Sequence, residues 1–230
     1  MAIERRTREA RQLALELPHR PASGRDDFIV GACNAEAVAA IDRWPAWRGR
    51  RLALVGAEGS GKSHLAGVWQ EVSTARTVAG ARIARGDVPA LLSAGCLVIE
   101  DGETVADEAA LFHLLNVATE EGVSLLITAK RPPSQWPMGD PALLSRLATV
   151  PCVSLKPPSD DVLCGVLSKL FRDRQLHVDG ELLDYLMVRM PRSFAAASAL
   201  VETLDRASLS SKRSITKRLA SEVLGDATDE

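Results

Sequence analysis

The four cysteines of this 230-residue chain, Cys33, Cys96, Cys152 and Cys164, form no C-x-x-C pair and no zinc-ligand spacing. That excludes a disulfide framework and predicts reduced, mostly buried thiols in a cytoplasmic protein. The four histidines are scattered, so no zinc site is expected. Basic charge is not in excess either: the net charge is −2 and the pI about 6.1. A chain that grips duplex DNA by itself needs a basic face for the phosphates, and this balance argues against that role. No apolar run is long enough to span a bilayer, so no membrane partner is expected. Residues 1–11 are charged with no apolar stretch behind them, which is not the pattern of a secretory leader. Internal repeats and low-complexity segments are also lacking. What the chain does have is 46% hydrophobic residues, ample for a packed core, in a length that holds one large domain or two small ones.

The most informative stretch is Gly56-Ala57-Glu58-Gly59-Ser60-Gly61-Lys62-Ser63, which fits G-x-x-x-x-G-K-S/T without a mismatch. The apolar run over 51–55 before it reads as a buried parallel strand. Residues 62–74 after it carry Leu65, Val68, Trp69 and Val72 at helical spacing. In this context glycines let backbone N–H groups curl toward phosphate oxygens, and the helix N-terminus adds partial positive charge. Gly56, Gly59, Ser60, Gly61 and Lys62 are therefore candidate nucleotide ligands, with His64 beside them. Lys62 is expected to reach the β- and γ-phosphates and Ser63 to hold Mg²⁺.

Taken in order, residues 1–24 form a polar tail with one apolar patch, Gln12-Leu13-Ala14-Leu15-Glu16-Leu17, closed off by Pro18, Pro21, Ser23 and Gly24. The patch suits a short helix, since Leu13 and Leu17 are four apart, and equally a docking peptide in which the Gln12 amide bonds a partner while Leu13, Leu15 and Leu17 fill a pocket. A helix is predicted over 35–47 with Asn34 as its cap. Further strands are expected over 77–84, 96–99, 123–128 and 150–155, and helices over 87–94, 107–121 and 141–147. Alternating strands and helices mean an α/β fold with a parallel sheet. Lys156-Pro157-Pro158-Ser159 marks a boundary. Beyond it only helical patterns appear, over 160–174, 179–190, 193–208 and 215–224. The predicted organisation is a tail (1–24), a nucleotide-binding base (25–156) and a small all-helical lid (157–230).

Four apolar residues ending in Glu100-Asp101 match the Walker B position. A strand beside the P-loop strand brings its end to the phosphates, where one acid holds Mg²⁺ and the other orients water. Thr128 ends the next strand, where a hydroxyl can touch phosphate or water. Arg146 lies in a short helix after that strand, and Arg192 follows Met190-Pro191 at the start of a lid helix. Each arginine alone reads as a solvated charge.

Together these features resemble an AAA+ ATPase, and more narrowly the DnaA branch. Thr128-Ala129-Lys130-Arg131-Pro132-Pro133 is similar to the branch's sensor-1 turn, Leu143-Leu144-Ser145-Arg146-Leu147 to its arginine-finger segment, and Arg192-Ser193-Phe194 to its sensor-2 helix. The Phe28-Ile29-Val30-Gly31 loop resembles the branch's N-terminal nucleotide loop, with Phe28 and Val30 against the nucleotide. No helix-turn-helix domain follows the lid pattern, and the Gln12–Leu17 patch resembles the clamp-binding peptide of the Hda family. The resemblance covers essentially the full length. It implies a five-stranded AAA+ base with a helical lid, and a protein that docks on the DNA-loaded sliding clamp of DNA polymerase III, meeting DNA only through the clamp. It implies that Arg146 acts in trans on ATP bound to DnaA, so that initiation of replication is restrained. The chain's own ligand would be ADP in the first instance, or ATP, with Mg²⁺, and a homo-oligomer is compatible. The order Glu100 then Asp101 departs from the usual Asp then Glu. The second acid is one methylene short, and a misplacement of about 1 Å can cost on the order of a hundredfold in rate. Weak self-hydrolysis follows, and the Mg²⁺ assignment between Glu100 and Asp101 stays open. A DnaA-like helicase loader would share every nucleotide-site residue without needing the tail peptide, and a small-molecule kinase would use the same P-loop.

Overall fold

The computed structural model describes residues 29–225. The tail peptide with Gln12, Leu13, Leu15 and Leu17, and also Phe28, lie outside the described residues.

Strand β1 (Arg51–Val55) is buried along its whole length. It is followed by the glycine loop and helix α2 (Lys62–Ser73). Strands β2 (Arg76–Ala79), β3 (Cys96–Glu100), β4 (Ser124–Ala129) and β5 (Cys152–Ser154) complete a five-stranded sheet in the order β2-β3-β4-β1-β5. Every pairing is parallel. Side chains alternate across such a sheet with period two. Ala53, Val55, Leu97, Ile99, Leu125 and Ile127 join one core with α3 (Val88–Leu92), α4 (Glu108–Glu120) and α5 (Pro141–Leu147). Leu52, Leu54, Val98 and Leu126 face the opposite core, against α1 (Ala35–Asp42) and α2. Both faces are covered, which is why the central strands read as continuous apolar runs. Edge strand β2 is mostly exposed, and it ends at Ala79, where a 3₁₀ turn begins, rather than reaching residue 84.

The sheet order corrects one expectation. The Walker B strand β3 is not beside the P-loop strand, because β4 lies between them. Adjacency along the chain says nothing about adjacency in a sheet built by crossovers. Glu100 must therefore reach across β4 to meet the loop.

Asn34 also differs from its expected role. Its side chain makes no cap bond to α1. Instead Oδ1 accepts from the Gly31 N–H (2.9 Å) and Nδ2 donates to the Ile29 carbonyl (2.9 Å), which ties the preceding loop to the helix start. Asn side chains commonly satisfy nearby backbone in this way. Asp107 does cap α4, accepting from Ala110 N, and Asp140 caps α5, accepting from Ala142 N.

Helices α6 (Asp160–Asp173), α7 (Gly180–Arg189), α8 (Phe194–Ser211) and α9 (Lys217–Leu224) follow the Pro-Pro boundary. They pack Leu163, Leu167, Phe171, Leu186, Val201 and Leu204 into a core of their own. Asp179 and Ser193 cap α7 and α8, whereas the Ser159 side chain makes no cap bond to α6. All four cysteines are free; Cys33 and Cys96 are buried and Cys152 is exposed. Among the described residues no helix is long and apolar enough to cross a membrane.

Candidate functional site

A cavity of about 480 Å³ opens between the C-terminal edge of the sheet and the lid. That is the size of a small-molecule site. The base contributes Gly59, Gly61, Lys62, Ser63, His64 and Asp101; the lid contributes Leu170, Phe194 and Ser198 among others.

The loop is built for close backbone approach. Gly59 and Gly61 have φ of +73° and +94°, where a side chain is strained. Gly56 is needed for space: a Cβ there would stand 2.6 Å from the Leu155 carbonyl oxygen. Lys62 is 7% exposed. Its Nζ donates to the carbonyls of Gly56 (2.8 Å) and Ala57 (2.9 Å). Burial pushes its ammonium below the ordinary lysine value, against the pull of Asp101, Glu103 and Glu100. The Ser60 hydroxyl is buried and lacks a hydrogen-bond partner among the described residues. An orphaned donor inside a glycine loop, beside a helix N-terminus and a lysine, fits a bound polyphosphate.

The two acids make different contacts. Glu100 Oε2 accepts from Thr128 Oγ1 (2.5 Å) and from Ser63 Oγ (3.1 Å). Thr128 also accepts from the Asp101 N–H (3.0 Å) and is fully buried. Its hydroxyl is thus committed to fixing the acidic turn, and it is Asp101 that faces the cavity. Ser63 and Glu100 together form a hard-oxygen pair suited to Mg²⁺, which favours Glu100 for the Mg²⁺ side of the site. Bound there, the ion would neutralise phosphate charge. Asp101 sits at φ +49°, ψ +54°, in the left-handed region, held by its N–H and by the Thr104 hydroxyl on its carbonyl (2.7 Å).

The lid touches the loop directly. The Phe194 N–H donates to the Gly59 carbonyl (3.0 Å). A Cβ on Gly59 would lie 2.7 Å from that of Ser193, and one on Gly61 would lie 3.1 Å from the Phe194 ring. Gly59→Ala should therefore cost about 1–3 kcal/mol through backbone strain alone and loosen the lid. A thermal melt with an unchanged midpoint would contradict this.

Two expected ligands, Arg192 and Val30, stand elsewhere, and Arg146, expected to act in trans, also lies outside the cavity. Arg192 forms an ion pair with Asp160 at the start of α6 and does not line the cavity; the α8 residues that do are Phe194, Ala195 and Ser198. Val30 is 49% exposed and its neighbour Ile29 lines the cavity instead, lying over Gly165 of α6. Arg146 is half-buried on α5, its guanidinium 5.2 Å from the centre of the Phe112 ring on α4, and is absent from the cavity lining. Close by, Arg51 is buried and donates to the Leu115 carbonyl (2.6 Å) and to Thr119 Oγ1. Its guanidinium is pushed below the ordinary arginine value first by burial and then by Arg146. Sequence reasoning missed Ile29, Lys130, Lys169 and Asp173. The last two pair at 2.6 Å on the cavity wall of α6. In sequence such an i,i+4 pair looks like any solvated helix face.

The segment 160–224 matches the family model of the Hda lid domain. The fold is similar to domain III of the Thermotoga maritima replication initiation protein DnaA, with a TM-score of 0.76 and 18% identity over 93% of this chain and 100% of that one. It is also similar to AMPPCP-bound DnaA from Aquifex aeolicus (TM-score 0.65, 16% identity, 81% of this chain and 66% of that chain). The Thermotoga maritima RuvB Holliday junction branch migration motor is a third likeness (TM-score 0.69, 16% identity, 90% and 75%). This chain thus spans about two thirds of the Aquifex DnaA chain. At such identities the structural likeness establishes the AAA+ fold, and the lid match narrows it. The chain has the AAA+ fold that these structures share, and its residues 160–224 are similar to the lid domain of Hda.

Proposed function

We propose that this protein is a nucleotide-binding negative regulator of replication initiation in the cytoplasm. The tail peptide docks on the sliding clamp, and Arg146 is presented in trans to ATP held by DnaA, whose hydrolysis it stimulates. The observation that carries the reading is the Hda-type lid over 160–224 joined to a P-loop base. Two features support its finer parts. The loop, Ser63 and Glu100 suit a nucleotide with Mg²⁺, ADP in the first instance. Arg146 stands outside the cavity of its own chain, as a group serving another subunit's nucleotide must. An arginine so used neutralises charge developing on the transferred phosphoryl group. The shortened second acid, Asp101, suits a chain that holds its nucleotide more than it hydrolyses it.

Deleting residues 1–17, or replacing Gln12, Leu13, Leu15 and Leu17 with alanine, should abolish clamp binding in a pull-down and leave the thermal midpoint of the fold unchanged. The patch precedes a Pro/Ser/Gly break, so its loss should not disturb the core. Undiminished capture by the clamp would overturn the docking assignment and favour the helicase-loader alternative.

A further inference from the structure

Two charged side chains beside the glycine loop, Glu58 and Lys130, line the cavity as an exposed ion pair. Glu58 is the third residue of the glycine loop, and Lys130 is the first residue past β4. Lys130 Nζ lies 3.0 Å from Glu58 Oε2, and both residues line the cavity. The pair thus joins the loop to the end of a central strand across the mouth of the site.

This placement does not suit a purely structural role. The Glu58 and Lys130 side chains are 85% and 54% exposed, and an ion pair so hydrated contributes little to stability. The Lys130 backbone, by contrast, is held from behind, its N–H donating to Glu103 Oε1 (2.9 Å). An anchored backbone with an exposed ammonium leaves the side chain free to change partners. Glu58, Asp101 and Glu103 all hold that ammonium above the ordinary lysine value, so it is charged at neutral pH.

The charge balance supplies the reason to exchange. Four carboxylates, Glu58, Glu100, Asp101 and Glu103, gather near two lysines, Lys62 and Lys130. Lys62 already directs two hydrogen bonds at its own loop. A polyphosphate carries several charges and offers more acceptor oxygens than one solvated carboxylate, so it competes well for the second ammonium.

We propose that Lys130 is a second phosphate-binding cation of this site and that Glu58 competes with phosphate for it. Entry of a nucleoside di- or triphosphate exchanges the Glu58–Lys130 pair for a Lys130–phosphate contact, and Glu58 sets an upper limit on affinity. The inference rests on the nucleotide reading of the cavity.

Isothermal titration of the full chain with ADP and Mg²⁺ tests it, using Lys130→Met, Lys130→Arg and Glu58→Gln. Losing a charge-assisted contact should weaken binding about tenfold in Lys130→Met. Lys130→Arg keeps the cation and should stay within about twofold of the parent. Glu58→Gln removes a competitor and a like charge beside the phosphates and should tighten binding roughly threefold. Nucleotide-free melting points should not move, since both side chains are exposed. Parent-like affinity in Lys130→Met, or weaker binding in Glu58→Gln, overturns the proposal while leaving the nucleotide site intact. Failure of the parent chain itself to bind ADP overturns the nucleotide reading, and this inference with it.

Discussion

Arg146→Ala is expected to abolish stimulation of ATP hydrolysis by DnaA, a loss on the order of a thousandfold if the finger acts as arginines do at other phosphoryl-transfer sites. Nucleotide affinity of the chain itself should not change, because Arg146 is absent from the cavity lining. Its removal ends one cation–π contact with Phe112, a loss of about 0.5–1 kcal/mol at a site that is still partly hydrated. It also relieves Arg51 of a like charge, which offsets part of that cost. The fold should therefore survive, and a lost activity would not be a lost structure. Arg146→Lys should fail nearly as badly, since a point charge cannot reproduce the planar fork on phosphate oxygens. The decisive measurement is the rate of ATP hydrolysis by DnaA with clamp and DNA present. Stimulation by Arg146→Ala equal to that of the parent would remove the main support for action in trans.

Lys62→Ala should eliminate nucleotide binding. The ammonium has two tasks in the structure. It carries the positive charge at the base of the loop, and it satisfies the carbonyls of Gly56 and Ala57. Alanine removes both, so the loop loses an internal brace together with its phosphate ligand. A ligand at a hundred times its dissociation constant stabilises by about 2.7 kcal/mol. For a chain of this length that is a rise of roughly 5–10 °C in melting temperature. The parent should show such a rise with ADP and Lys62→Ala none. An equal rise in both would dismiss the glycine loop as the phosphate site. Because the Phe194 N–H bonds the Gly59 carbonyl, the variant should also report whether the lid depends on a well-formed loop. A drop in the nucleotide-free melting point of Lys62→Ala would show that coupling.

The sequence by itself determined the features whose physics is local. The glycine loop between an apolar strand and an amphipathic helix could be read directly, because its turns and the helix start at Lys62 are set by residues a few positions away. The strands β1, β3 and β4 and the four lid helices were legible for the same reason: period-two and 3.6-residue patterns are set within one element. Whatever depended on two distant segments was decided by the tertiary structure. Parallel crossovers placed β4 between the Walker B strand and β1, so Thr128 became the anchor of Glu100. The different contacts of Glu100 and Asp101 turned on which carboxylate reached Ser63 from two strands away. Arg192 has a carboxylate, Asp160, within reach across the lid, and the folded lid sets that pair apart from the cavity. Ile29 and Val30 carry the same apolar signal in sequence, and only the packing against α6 decides which of them faces the cavity. Glu58 and Lys130 are 72 residues apart and meet only because the loop after β1 and the end of β4 lie side by side. A charge in a sequence names its sign, but its partner is chosen by the fold, since an ion pair forms only where the backbone brings two side chains within a few ångströms.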